Sequence, residues 1–273
     1  MKIIDFRLRP PFKDFLNEDM HLFRADDPFV TRFFKQNGFP IPESLKQQSM
    51  DLCLKEMEEV NIELAVCGAR LGVSNDTLTE LGEKYPQFKC VATYDVMNTE
   101  EGLDIIDKYI ANGPLIGMAV ETLLYDITYA DDRIFPIYER MQELGKFVTL
   151  TTGAGGNTLE LTKLEYIDKV ARTFPNLNII ISHAGWPWVE QACWIAASRP
   201  NVYLMPDLYL CNAPGHQSFL SAVNYQLQDK VIYGSAYPYN NMVYAAKFAL
   251  KYVRPEVQQK FMYDNAARIL GLK

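Results

Sequence analysis

A single closed (β/α)₈ barrel is the fold this chain predicts, and three observations carry the prediction. Eight short apolar runs recur along the 273 residues. Most are rich in Val and Ile with little alternation, as parallel strands buried on both faces are. Each is followed by a longer segment of helical pattern. Eight strands alternating with helices leave a closed barrel or an open doubly wound sheet. The count of eight favours the barrel, and a single domain spanning 1–273 matches its usual size of about 250 residues.

In order, strands are expected at 2–6, 63–67, 90–94, 116–120, 147–151, 178–182, 202–205 and 231–233. The segment 45–59 carries Met50, Leu54 and Met57 on one side, with Glu and Lys on the other. Segments 134–144, 166–174, 189–197, 216–227 and 242–252 follow the same amphipathic plan. The last helix, 255–270, begins at Pro255 and stops before Gly271, the expected start and stop residues. Residues 10–42 exceed a simple βα connection, so a lid-like excursion is expected there, on the face where barrels build active sites. The run Gly-Ala-Gly-Gly at 153–156 follows a strand but lacks the spacing of a phosphate-cradling loop.

Composition narrows the function. An apolar fraction of 48% and a charged fraction of 22% describe an ordinary globular chain with a sizeable core. The formal charge is −7 and no Lys/Arg cluster offers a basic face, which argues against nucleic acid as a partner. No apolar run approaches the ~18 residues of a membrane span, and no leader is apparent. The five cysteines (Cys53, Cys67, Cys90, Cys193, Cys211) form no CxxC pair and are expected to be reduced, in a cytoplasmic setting. Homo-oligomerisation is left open.

Barrel side chains at the C-terminal strand ends face the active site. That rule selects Arg7 and Arg9 after strand 1, Asp95 after strand 3, Glu121 after strand 4 and Thr151 with Thr152 at strand 5. It adds His183 after strand 6, Asp207 and Tyr209 after strand 7, and Ser235 and Tyr237 after strand 8. Arg7 and Arg9 alternate with Phe6 and Leu8, so both can point one way. Two guanidiniums suit a carboxylate or phosphate; alternatively they pair with acids of the chain, such as Asp5 or Glu121. His183 stands at a strand end and can exchange protons near neutrality, whereas His21 and His216 read as lid and helix-start residues. Asp207 and Glu121 complete the candidate catalytic set, with pairing or orienting roles favoured over direct proton transfer. Thr151, Tyr209 and Tyr237 are candidate substrate contacts, while Trp186 and Trp188 read as packing anchors.

These strand ends resemble the amidohydrolase superfamily, in its amidohydrolase-2 branch of decarboxylase- and lactonase-like proteins. Ile4-Asp5-Phe6-Arg7-Leu8-Arg9 resembles the family's I-D-x-H-x-H, and residues 147–153 its V-x-x-H-x-G. His183-Ala184-Gly185-Trp186-Pro187 resembles H-x-G-x-P, the most specific of the matches. Residues 234–238 resemble G-S-D-Y-P, and 265–270 the closing N-A-x-x-L. The resemblance implies a divalent metal held by two histidines on strand 1, histidines on strands 5 and 6, and an aspartate on strand 8. Arg7 and Arg9 stand at the first two of these positions, Thr151 at the third, His183 at the fourth and Ala236 at the fifth. A guanidinium stays protonated and has no lone pair to offer a cation. Neither alanine nor a neutral threonine hydroxyl replaces the N, S and carboxylate donors that zinc prefers.

The expectation is therefore a metal-independent hydrolase or decarboxylase-type lyase with no cofactor, acting on a small carboxylate-bearing molecule. Arg7 and Arg9 bind the anion and His183 serves as general acid or base. Lactone or ester hydrolysis is favoured over amide hydrolysis. Two alternatives stand beside it: a binding barrel that has lost the chemistry, and an enzyme whose metal has moved to Glu121, His183 and Asp207.

Overall fold

Seven parallel strands run in chain order in the computed structural model, which describes residues 1–17, 22–68, 72–153 and 158–272. They are β1 (Ile3–Asp5), β2 (Ile62–Gly68), β3 (Phe88–Thr93), β4 (Gly117–Val120), β5 (Phe147–Thr151), β6 (Asn178–Ser182) and β7 (Val202–Met205). His21 and most of the glycine run, 154–156, lie outside the described residues.

The eighth strand, expected at 231–233, is not a regular strand, yet its segment closes the barrel. Ile232 N–H donates to the Leu204 carbonyl (2.9 Å) on one side, and Phe6 N–H to that of Tyr233 (2.9 Å) on the other. Ala236 N–H reaches the Arg7 carbonyl (3.0 Å) and Arg9 N–H that of Tyr237 (3.1 Å). The ladder breaks because a side chain enters the seam. Asp5 Oδ1 accepts the backbone N–H groups of both Ser235 (2.9 Å) and Arg7 (3.0 Å).

Two cores sandwich the strands. One cluster takes Ile4, Val66, Val91, Ala119, Phe147, Ile180, Met205 and Ile232, one residue from each of the eight segments, and so fills the lumen. Alternate residues, such as Ile179 and Ile181 around Ile180, join the larger cluster under the helices. Burial on both faces is why these strands read as continuous apolar runs.

The helix expected at 45–59 is two helices, α2 (Glu43–Lys46) and α3 (Met50–Glu59), with α1 (Pro28–Asn37) preceding them. Gln48 takes a left-handed conformation (φ 49°), and the Ser49 side chain caps α3 by accepting Leu52 N–H (3.3 Å). Besides α1, two helices without an expected counterpart are α4 (Asn75–Lys84) and α5 (Thr99–Ile105). α4 buries only Thr77, Leu78 and Leu81, so its apolar stripe is thin; its start is fixed by the Ser74 cap on Thr77 N–H (3.1 Å). The remaining helices are α6 (Phe135–Glu143), α7 (Leu164–Thr173), α8 (Val189–Ser198), α9 (His216–Ser221), α10 (Met242–Tyr252), α11 (Pro255–Gln259) and α12 (Asn265–Ile269).

The excursion after β1 packs over the mouth. Phe33 of α1 lies against Tyr239 (5.6 Å between centroids), and Asn37 Nδ2 donates to Asn240 Oδ1 (3.2 Å). Asn212 Nδ2 donates to the Asn37 carbonyl (2.8 Å), tying the excursion to the turn that follows β7. No helix among the described residues is long and apolar enough to cross a membrane.

Candidate active site

Asp5 begins the site although it lies outside the lumen. Accepting Arg7 N–H two residues ahead makes an Asx turn, which bends the chain at 6–7. The bend shifts backbone pairing from Tyr233 to Val66, whose carbonyl accepts Leu8 N–H (3.1 Å). Arg7 is thereby delivered to the mouth. Burial pushes the Asp5 carboxyl up to about 6 despite these two donors, and Oδ2 has no partner. A raised carboxyl pKa stabilises the fold below the ordinary value near 3.8 and loses that contribution as pH rises through 6. Asp5→Asn keeps an acceptor for both N–H groups without the buried charge. Between about pH 4 and pH 7 the variant is expected to gain up to about 3 kcal/mol relative to wild type, by urea unfolding at both pH values. Parallel stabilities at the two would refute this.

At the mouth, His183, Asp207 and Arg7 form one connected group. His183 Nδ1 lies 2.7 Å from Asp207 Oδ1, and its backbone N–H donates to Oδ2 (3.2 Å). Leu208 N–H also donates to Oδ1, and Arg7 Nε approaches Oδ2 at 3.5 Å. The carboxylate is wholly buried and has a donor on each oxygen, which a buried charge requires. With Nδ1 facing a carboxylate, the imidazole proton sits on Nδ1, leaving the Nε2 lone pair outward. There Nε2 meets Arg7 Nη2 at 3.4 Å. Burial first, then the charges of Arg7 and Arg9, lower the His183 pKa against the opposing pull of Asp207, so the ring is neutral at pH 7.

The backbone around this group is unusual. His183 (φ 62°), Ala184 (φ 44°), Asp207 (φ 41°) and Ala236 (φ 64°) are all left-handed and none is glycine. Such conformations cost on the order of 1–3 kcal/mol each and gather where the surroundings over-determine them.

The other candidates divide. Arg9 is buried near His183, with Nε donating to the Gly68 carbonyl at the end of β2 (2.7 Å). Tyr209 sets its ring edge on His183 (5.2 Å, 81°) and stacks face to face on Trp186 (4.6 Å, 13°). Trp186 is thus a packing anchor, and its Nε1 donates to the Pro214 carbonyl (2.9 Å). Glu121 contacts Thr151 Oγ1 (3.1 Å) rather than His183 or the arginines, which corrects its place in the catalytic set. Thr151 is buried and its hydroxyl is committed to that carboxylate. Tyr237 is a second correction: fully buried, it turns to the excursion, with its hydroxyl on Ser44 Oγ (2.8 Å) and its ring on Phe23. No surface remains on it for a substrate. At Arg7 the expected pairing with Asp5 or Glu121 is also replaced, since Asp207 is the acid beside it. Asp95 takes Met97 N–H (3.0 Å), and Ser235 Oγ that of Tyr237 (3.1 Å), both as turn residues.

A cation does not fit the positions where the resemblance would place one. Arg7 lies on His183, the one imidazole those five positions carry, at its Nε2, and Thr151 and Ala236 supply no charged donor. Among the described residues no three His, Cys, Asp or Glu side chains are grouped as a metal site needs, so the relocated trio of Glu121, His183 and Asp207 is not assembled. All five cysteines are free thiols.

Comparison with known proteins follows the same lines. A family model described as amidohydrolase matches residues 56–272. An uncharacterized TIM-barrel protein from Bordetella bronchiseptica is 33% identical over 99% of each chain, with a TM-score of 0.92. A 5-carboxyvanillate decarboxylase from Sphingomonas paucimobilis is 15% identical, covering 100% of this chain and 99% of its own, with a TM-score of 0.70. A 2,6-dihydroxybenzoate decarboxylase from Rhizobium is 14% identical over 99% of each chain, also at 0.70. These two likenesses are of fold. Comparison with curated proteins gives no match.

Proposed function

This chain belongs to the amidohydrolase family, and from that membership we propose that it is a metal-independent acid–base enzyme acting on a small carboxylate-bearing substrate. The observation that carries the reading is the Asp207–His183–Arg7 group, with contacts of 2.7 Å and 3.4 Å on the two sides of one imidazole. It combines an oriented neutral base with a guanidinium at a position where the resemblance implies a metal-binding histidine.

Arg7 uses Nε toward Asp207 and one Nη2 hydrogen toward His183, so its fork retains donors for an anion. A substrate carboxylate at Nη2 draws the guanidinium away from Nε2, competing for the one hydrogen between them, and releases the lone pair. In the favoured reaction, lactone or ester hydrolysis, His183 Nε2 removes a proton from water as its oxygen bonds to the carbonyl carbon. Arg7 balances the developing oxyanion. The carbon–oxygen bond to the leaving group then breaks, and the imidazolium returns the proton to the alkoxide. Asp207 holds the ring and stabilises its cationic form. Decarboxylation is the second reading, favoured by the decarboxylases among the solved neighbours.

Crystals soaked with lactones and with aromatic or aliphatic dicarboxylates test the assignment, with density bridging Arg7, Arg9 and His183 as the expected result. In solution, Arg7→Met is expected to weaken benzoate binding about 10- to 100-fold by calorimetry, the worth of a hydrogen bond to a charged group. Binding and turnover falling together support an enzyme. A ligand that binds and is never converted makes the barrel a receptor. A stoichiometric metal surviving dialysis would overturn the metal-independent mechanism.

A further inference from the structure

Thr152 follows β5 and is almost wholly buried. Its backbone N–H and its hydroxyl both donate to the Ser182 carbonyl, at 3.1 Å and 2.7 Å. The same hydroxyl accepts the N–H of Gly185 at 3.0 Å. Ser182 and Gly185 bracket the left-handed turn that bears His183, so one oxygen grips the chain on both sides of the imidazole. Asp207 grips from the other flank through His183 N–H and Nδ1. A turn with two left-handed non-glycine residues needs such opposed restraints to persist.

We propose that Thr152 is a positioning residue that sets the aim of the His183 imidazole, through a hydroxyl acting as donor and acceptor at once. What the imidazole then does rests on the function proposed above; the clamp does not. Glu121 and Tyr129 contact neighbouring Thr151, through its hydroxyl and its carbonyl, and leave the Thr152 hydroxyl to the turn. Valine matches threonine in shape but has neither donor nor acceptor, whereas serine keeps both and loses only a methyl.

The test compares wild type, T152V and T152S as the full chain, following the His183 Nδ1–H proton resonance, assigned by its absence in His183→Asn. In T152V this resonance is expected to move upfield or vanish as the contact with Asp207 loosens, and turnover of a responsive lactone to fall about 10²-fold, the scale of a 1 Å misplacement. T152S is expected to match wild type in both. A T152V resonance unchanged from wild type overturns the proposal, as does a perturbation in T152S as large as that in T152V, since serine keeps both hydroxyl contacts. Thr152→Ala is read the same way should T152V not fold. If benzoate fails to bind wild type while the T152V resonance shifts, the function proposed above falls and the clamp stands.

Discussion

Replacing His183 by asparagine is expected to lower kcat/KM by about 10²–10⁴-fold, the range general acid–base catalysis supplies, without unfolding the chain. Position 183 is left-handed (φ 62°), and asparagine is among the few residues that tolerate that backbone. Its amide can still meet Asp207, so the variant isolates loss of the proton-accepting nitrogen from loss of the turn. The pH profile offers a second check. Burial and the arginines lower the His183 pKa, so on the acid side wild-type kcat/KM should fall through a midpoint below 6.5. A base must be unprotonated to act, so activity is lost as pH drops and not as it rises. An asparagine variant with near-normal turnover would remove His183 from the mechanism.

The second large effect is expected at Asp207→Asn, a loss of about 10³–10⁴-fold in kcat. Asp207 accepts from His183 N–H, His183 Nδ1, Leu208 N–H and the approaching Arg7 Nε. An amide has one acceptor oxygen for these donors and turns its NH₂ against another. The imidazole is then driven to carry its proton on Nε2, where it faces Arg7 and cannot act as base. Arg7 also loses its buried counter-charge, so the melting temperature should fall as well. Thermal melting beside single-turnover kinetics separates the two effects. Retained turnover in a destabilised variant would make Asp207 a structural residue only.

Much of this site was legible as residue types at strand ends. His183 and Asp207 follow β6 and β7, where the barrel rule places functional groups, and their contact is one of the pairings the sequence left open, with Glu121 as the other acid offered to the imidazole. Long-range geometry was not legible. Tyr237 follows the same rule as Tyr209, but Ser44, nearly 200 positions away, takes its hydroxyl. Glu121 faced a choice among several cations, and the structure gave it a threonine. Strand-end placement selects Thr152 and charge offers Asp5 to the arginines, but their roles were not legible because their work is on backbone groups; the signals were an Asx residue two places before Arg7 and a hydroxyl between Thr151 and Gly153. The fold carried clearer marks, because two-sided burial writes itself into composition strand by strand. Only the eighth strand deviates, where Asp5 diverts the ladder.

The backbone at Ala236 favours residue types other than the one present. Left-handed backbone costs an alanine about 1–2 kcal/mol, whereas aspartate and asparagine offset part of that with local hydrogen bonds. The G-S-D-Y-P pattern that residues 234–238 resemble has an acid at this step. The main chain at position 236 therefore has a posture that the acid of that pattern suits better than the alanine present here.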